Sequence, residues 1–209
     1  MHEVSRRAFA FGAPLILAGC AGALPMGADD PSAIYHPILN ERFPVPAIAY
    51  RQIDPRFYRQ DVAYKTKEKP GTIIVDPAHH FLYFIRAHGQ ATRYGVGVGK
   101  AGFGWSGVAH IERKAEWPSW TPPVEMQERD KQAAKWAHGM PGGINNPLGA
   151  RAMYLYEDGR DTMYRIHGTI EPWSIGKSMS SGCIRLLNQD VINLFKHAPI
   201  GTKVIVLKA

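Results

Sequence analysis

Two cysteines in 209 residues, Cys20 and Cys183, exclude a disulfide scaffold and any cysteine-built zinc finger. No apolar run reaches the ~20 residues of a membrane-spanning helix. The longest candidate, residues 8–17, is interrupted by Gly12 and Pro14. Basic residues outnumber acidic ones, 25 to 18, for a formal charge of +7. Even so, no stretch clusters Lys and Arg with interleaved aromatics, so a nucleic-acid partner is not expected. There is no internal repeat and little helical periodicity. With 21 Gly and 16 Pro, the chain favours turns and short strands over long helices. Hydrophobic residues make up 45 % and charged residues 21 %, a globular composition able to bury a core.

The N-terminus has the order of a secretory signal: Arg6 and Arg7, then the apolar residues 8–17, then small residues. Ser5-Arg6-Arg7-Ala8-Phe9 resembles a twin-arginine export signal, although Ala10 and Phe11 stand where Leu and Lys are common. Leu17-Ala18-Gly19-Cys20 resembles a bacterial lipobox, which makes residues 1–19 a removable signal and Cys20 a lipid anchor to a membrane. The alternative is cleavage after Ala23 in Ala21-Gly22-Ala23. Loss of residues 1–19 removes Arg6, Arg7 and Glu3 and leaves a charge of about +6, suited to an anionic envelope.

Residues 20–68 read as a tether and an extended lead-in, rich in Pro and then in aromatics (Tyr50, Phe57, Tyr58, Tyr64) that suggest docking over a domain spanning 69–209. Strand patterns cover residues 72–75, 80–86, 94–98, 108–112, 152–156, 163–167 and 203–207. Glu157-Asp158-Gly159-Arg160 predicts a tight hairpin. Helices are expected over 125–137 and over 189–197, the second capped by Asn188. The expected fold class is mostly β, a β-sandwich of short, mainly antiparallel strands with one or two helices.

Cys183 is the one thiol beyond the signal region, and it lies in Ser180-Ser181-Gly182-Cys183-Ile184-Arg185, which opens neither an apolar helix nor a long strand. Gly182 permits a turn whose N–H groups could hold an oxyanion. Arg185 adds positive charge that favours a thiolate. Sixteen residues earlier, His167-Gly168-Thr169 ends a predicted strand, and a Cys–His pair is the nucleophile and base that acyl transfer needs. His79, His80, His88, His110, His138 and His197 show no metal-ligand spacing, so no metal is expected. The residues around His138 could form a flap, and Trp105, Trp117 and Trp120 could line a cleft or simply fill the core.

The combination of His167-Gly168-Thr169 with Ser180 through Leu186 resembles the L,D-transpeptidase catalytic domain, the YkuD family. Gly71 through Asp76, Pro118 through Pro123 and Asn146-Pro147-Leu148-Gly149 extend the likeness over about 140 residues. Ser181 departs from it, because many members have His there. The resemblance implies a β-sandwich and a Cys183 thiolate that attacks the L,D bond of a peptidoglycan tetrapeptide stem and releases D-Ala. The acyl group then passes to an amine, giving a 3→3 cross-link. It further implies His167 as base, Ser180 orienting it or lining the site, and the N–H groups of Gly182 and Cys183 as oxyanion hole. Arg185 would hold a substrate carboxylate, with Gly168, Ser181, His138 and Trp120 as further substrate contacts. No cofactor is implied, and a monomer on the periplasmic side of the envelope is expected. Carboxypeptidase action, attachment of a lipoprotein or D-amino acid, and a non-catalytic peptidoglycan-binding module remain as alternatives.

Overall fold

A computed structural model describes residues 30–100, 104–180 and 182–209. The signal region, Cys20 and Ser181 therefore lie outside the described residues.

The lead-in begins with a one-turn helix, α1 (Pro31–Ile34), capped by Asp30, whose carboxylate accepts from the Ser32 amide. It ends in β1 (Gln60–Ala63), which pairs antiparallel with β4 (Gln90–Gly95) at the sheet edge. β2 (Ile73–Asp76) and β3 (Phe81–Ile85) extend the sheet beyond β4. β11 (Lys203–Val206) then adds parallel to β2 and antiparallel to β6 (Gly107–Glu116). β7 (Arg151–Glu157), β8 (Arg160–His167) and β10 (Ile184–Arg185) complete nine strands in the order β1-β4-β3-β2-β11-β6-β7-β8-β10. β5 (Val98–Gly99) and β9 (Ser178–Ser180) form a separate parallel pair.

Leu82 and Tyr94 from one end of the sheet share a core cluster with Ile166 and Ile184 from the other, so the sheet folds over on itself. Helix α4 (Asn188–His197) closes that core with Val191 and Leu194. The result is a mostly β, mainly antiparallel fold, as the strand spacing predicts.

The hairpin between β7 and β8 turns at Asp158 and Gly159, both at positive φ (49° and 72°), the backbone that an Asp-Gly pair tolerates best. Three local expectations need correction. The helix expected over 125–137 is two short ones, α2 (Val124–Arg129) and α3 (Lys131–Ala134). Asp130 breaks them: its backbone is extended and its carboxylate accepts from the amides of Gln132 and Ala133, so it caps α3 instead of continuing α2. The strand expected over 94–98 stops at Gly95, where a side chain would collide with Phe57 of the lead-in. Asn188 does not cap α4. Leu187 holds that position, and the Asn188 side chain points elsewhere.

The lead-in packs through Tyr35, Ile53 and Phe57 against Ile175 and Leu187, with Tyr35, Tyr50 and Tyr58 in mutual ring contact. Glu41 reaches across to Arg151 at 2.6 Å. Asp190, fully buried on α4, accepts from the Tyr35 hydroxyl at 3.2 Å and faces Arg59 at 3.6 Å. The segment is thus fastened to β7 through Glu41 and to α4 through Tyr35 and Arg59.

Candidate active site

β8 delivers His167 at its last position, and β10 lies parallel to it, with Arg185 opposite His167 and Ile184 opposite Ile166. The Leu186 amide donates to the His167 carbonyl at 2.8 Å. This register brings Cys183, the residue before β10, alongside Arg165. His167, Cys183, Ser180, Arg185, Thr169 and Trp120 all line one cleft of about 640 Å³. Sixteen residues of sequence separation are therefore closed by two short strands.

His167 is 5 % exposed. Its Nδ1 lies 2.5 Å from the Gly168 carbonyl oxygen. A carbonyl only accepts, so this contact assigns the ring proton to Nδ1 and leaves the Nε2 lone pair available. Burial, with the charges of Arg185 and Arg165, lowers the imidazole to about 4 against the raising effect of the Gly168 bond. Burial also pushes the Cys183 thiol up; a hydrogen bond from the Arg165 backbone and the charges of Arg165 and Arg185 oppose it. Both shifts favour the uncharged forms, a thiol and an imidazole that line the same cleft. A thiol and an imidazole in their neutral forms are groups that can exchange a proton as an acyl carbon is attacked.

Several expected roles change. Of the two roles expected of Ser180, it lines the cleft and makes no bond to His167: its Oγ donates to the Cys183 carbonyl at 2.7 Å and accepts from the Gly182 amide at 3.2 Å, which locks the turn carrying the thiol. Gly182 sits at φ 120°, the glycine-favouring backbone expected of this turn. Its N–H is already committed to Ser180, so it is not a ready oxyanion donor. Arg185 lines the cleft with one arm of its guanidinium held, its Nη1 meeting Glu171 Oε2 at 2.6 Å. His138 is exposed and does not line the cleft, whereas Trp136 and Met140 on either side of it do. Gly168 acts through its carbonyl behind His167. Trp120 lines the cleft and is bridged to Met140. Trp117 is core, its Nε1 donating to Glu41 at 3.1 Å, and Trp105 packs on Tyr164 beside a separate cavity of about 420 Å³. Among the described residues no group of His, Cys, Asp and Glu is placed to hold a metal.

Glu171 and Met163, both in the cleft lining, have no signal in the sequence. Met163 takes a left-handed backbone (φ 64°) that non-glycine residues rarely adopt. Its amide donates to Asp161, and Asp161 in turn is held by both terminal nitrogens of Arg165.

A model of the L,D-transpeptidase catalytic domain, YkuD, matches residues 70–206. The chain is 38 % identical over 138 residues to the Escherichia coli (strain K12) probable L,D-transpeptidase ErfK/SrfK, a match covering 63 % of this chain and 42 % of that protein. It is 32 % identical over 139 residues to the probable L,D-transpeptidase YbiS of the same strain, covering 64 % and 43 %. The match thus spans less than half the length of these relatives. Among solved structures, a Brucella melitensis protein described as a probable carnitine operon oxidoreductase is 49 % identical, with 76 % of this chain and 99 % of that one covered and a TM-score of 0.51. The avibactam carbamoyl enzyme of Ldtfm shares the fold at 18 % identity, covering 68 % and 50 % with a TM-score of 0.52.

Proposed function

Because the chain belongs to the L,D-transpeptidase catalytic domain family, we propose that it is a peptidoglycan L,D-transpeptidase with Cys183 as nucleophile and His167 as base. One observation carries this reading: the thiol and the imidazole line the same cleft, and the imidazole is fixed in the tautomer that can accept a proton at Nε2.

In this reading His167 Nε2 takes the Sγ proton as sulfur bonds to the carbonyl carbon of the L,D peptide bond. The oxyanion is met by the Cys183 amide. Collapse breaks the C–N bond, His167 returns the proton to the departing D-Ala amine, and a thioester remains. An acceptor amine then attacks the thioester, His167 removes its proton, and the thiol is regenerated. The uncharged forms fit a mechanism in which charge develops only when substrate fills the cleft.

We further read residues 1–19 as an export signal and Cys20 as a lipid anchor, which would hold residues 69–209 at the periplasmic face of a membrane through a tether and lead-in over 20–68. The enzyme would act there as a monomer. Mass spectrometry of the mature N-terminus tests this: a diacylated Cys20 supports it, and an unmodified terminus at Leu24 rejects it in favour of ordinary cleavage after Ala23.

The activity is tested by incubating purified protein and Cys183→Ala with disaccharide-tetrapeptide and reading products by mass spectrometry. Release of D-Ala with formation of a tetrapeptide–tripeptide dimer by wild type alone is the expected result. Tripeptide without dimer would assign a carboxypeptidase. Untouched substrate together with an unreactive Cys183 would assign a binding module.

A further inference from the structure

The Gly168 carbonyl that fixes the His167 tautomer needs a support of its own, and Asn188 is in contact with that backbone. Asn188, at the first position of α4, is 8 % exposed. Its Oδ1 accepts from the Ala150 amide at 3.0 Å, across 38 residues of sequence. The same oxygen is wedged between Gly149 and Gly168, so closely that a Cβ on either glycine would overlap it. A Cβ on Gly149 would also come within 2.8 Å of the Gly168 carbonyl carbon, and one on Gly168 within 3.2 Å of Val191. Gly149 has φ 63°, so its backbone and its lack of a side chain are both required at this junction. The Gly168 amide is tied on the other side to the Arg151 carbonyl at 3.0 Å. The peptide following His167 is thus clamped between β7 and α4.

We infer that Asn188 is a positioning residue for catalysis: by bridging Ala150 and filling the cleft between Gly149 and Gly168, it holds the Gly168 carbonyl where it fixes His167 as the Nδ1–H tautomer. The helix supplies rigidity, since Asn188 is carried on the same turn as core residue Val191. The reason for a polar residue here is specific. A hydrocarbon of the same size would leave the Ala150 amide buried without a partner, and a shorter side chain would leave a void beside a backbone with no Cβ to fill it. Asn188 touches no substrate; its effect reaches the thiol only through His167. The inference rests on the transpeptidase reading for its kinetic part, but not for its tautomer part.

The test uses the full chain with Asn188→Ala, Asn188→Thr and Asn188→Asp. Nitrogen-15 NMR of His167 reports the tautomer without any substrate, and turnover of disaccharide-tetrapeptide reports kcat and KM. Asn188→Ala should convert a single Nδ1–H tautomer into a mixture. It should also lower kcat on the order of 10²-fold, the scale of a small misplacement of a reacting group, with KM within about twofold of wild type. Asn188→Asp, which keeps the accepting oxygen and the shape, should restore the tautomer and most of kcat. Asn188→Thr fills more of the space while its hydroxyl falls short of Ala150, and it replaces the Ala variant should that fail to fold. Retention of the Nδ1–H tautomer in the Ala or Thr variant overturns the inference, whatever happens to melting temperature or kcat. If wild type itself does not turn over, the transpeptidase reading fails, while the tautomer comparison still decides the role of Asn188.

Discussion

Glu171 Oε2 lies 2.6 Å from Arg185 Nη1 inside the cleft that holds Cys183. The guanidinium is one of the charges that draw the thiol towards ionisation, and the carboxylate paired with it carries the opposite sign. The pair is partly open to water, with side chains 21 % and 40 % exposed, so its value lies in local field more than in stability.

Glu171→Gln keeps the shape and removes the offsetting charge. The thiolate fraction at neutral pH should rise, and alkylation of Cys183 by iodoacetamide should accelerate about two- to tenfold. Arg185→Gln should slow alkylation by a similar factor. Equal rates in all three proteins would show that the pair has no influence on the thiol.

The pH dependence of stability carries two opposing contributions. His167 titrates at about 4 in the fold against an ordinary 6.5, so between these values the unfolded chain binds a proton that the folded one refuses. Stability contributed in this way is present above 6.5 and lost as pH falls to 4, by about 3 kcal/mol. Asp190 is shifted the other way, raised by burial from 3.8 to about 7. Its contribution is present below about 4 and lost as pH rises to 7, again by several kcal/mol. The two slopes oppose each other between pH 4 and 6.5. Urea unfolding across this range should therefore show stability falling with pH in His167→Gln and rising with pH in Asp190→Asn. Unchanged slopes in both variants would mean that the two groups titrate normally.

Glu41 joins the lead-in to β7 through Arg151, whose side chain is only 6 % exposed. Removing Glu41 leaves the buried guanidinium with only the exposed Glu116 carboxylate, 3.8 Å away. Glu41→Ala should cost about 3 kcal/mol in urea unfolding, and Glu41→Ala with Arg151→Met should recover much of it. A single-variant loss below about 0.5 kcal/mol would show that the lead-in is not fastened through this pair.

Local chemistry made much of this molecule legible in its sequence. The Asp158-Gly159 turn, the short β-branched strands, and the His167 and Cys183 pair all depend on residues close together in the chain or on a recognisable motif. What escaped depends on contacts across long separations. Asn188 reads as a helix cap until the fold brings Ala150 to its side chain, and Glu171 reads as an ordinary loop residue until Arg185 faces it. Ser180 and Gly182 are legible as turn residues, but the hydrogen bond between them, which occupies the Gly182 amide, has no mark in the sequence. The break at Asp130 follows from a cap that competes with helix continuation, a balance that a polar helix without an apolar stripe cannot resolve in advance.

Met163 combines a left-handed backbone, 73 % exposure and a place in the cleft lining. A non-glycine residue in this conformation costs on the order of 1 kcal/mol, and exposure to water offers no packing to offset it. The cost is sustained by Asp161, which accepts the Met163 amide and is itself gripped by Arg165, the residue whose backbone meets the Cys183 thiol. A strained, exposed thioether at the mouth of a cleft is suited to contacting the apolar part of a stem peptide, because its side chain adapts to irregular surfaces. Met163→Gly relieves the backbone and removes the contact. Its stability should equal or exceed that of wild type by up to about 1 kcal/mol, since the strain released outweighs or balances the added freedom of the unfolded chain. KM for disaccharide-tetrapeptide should rise about three- to tenfold, equivalent to about 1 kcal/mol of lost apolar contact, while kcat stays within about twofold. Steady-state kinetics and urea unfolding on the same preparations check both halves. A variant that loses stability, or that keeps the wild-type KM, would show that the left-handed backbone serves the hairpin alone.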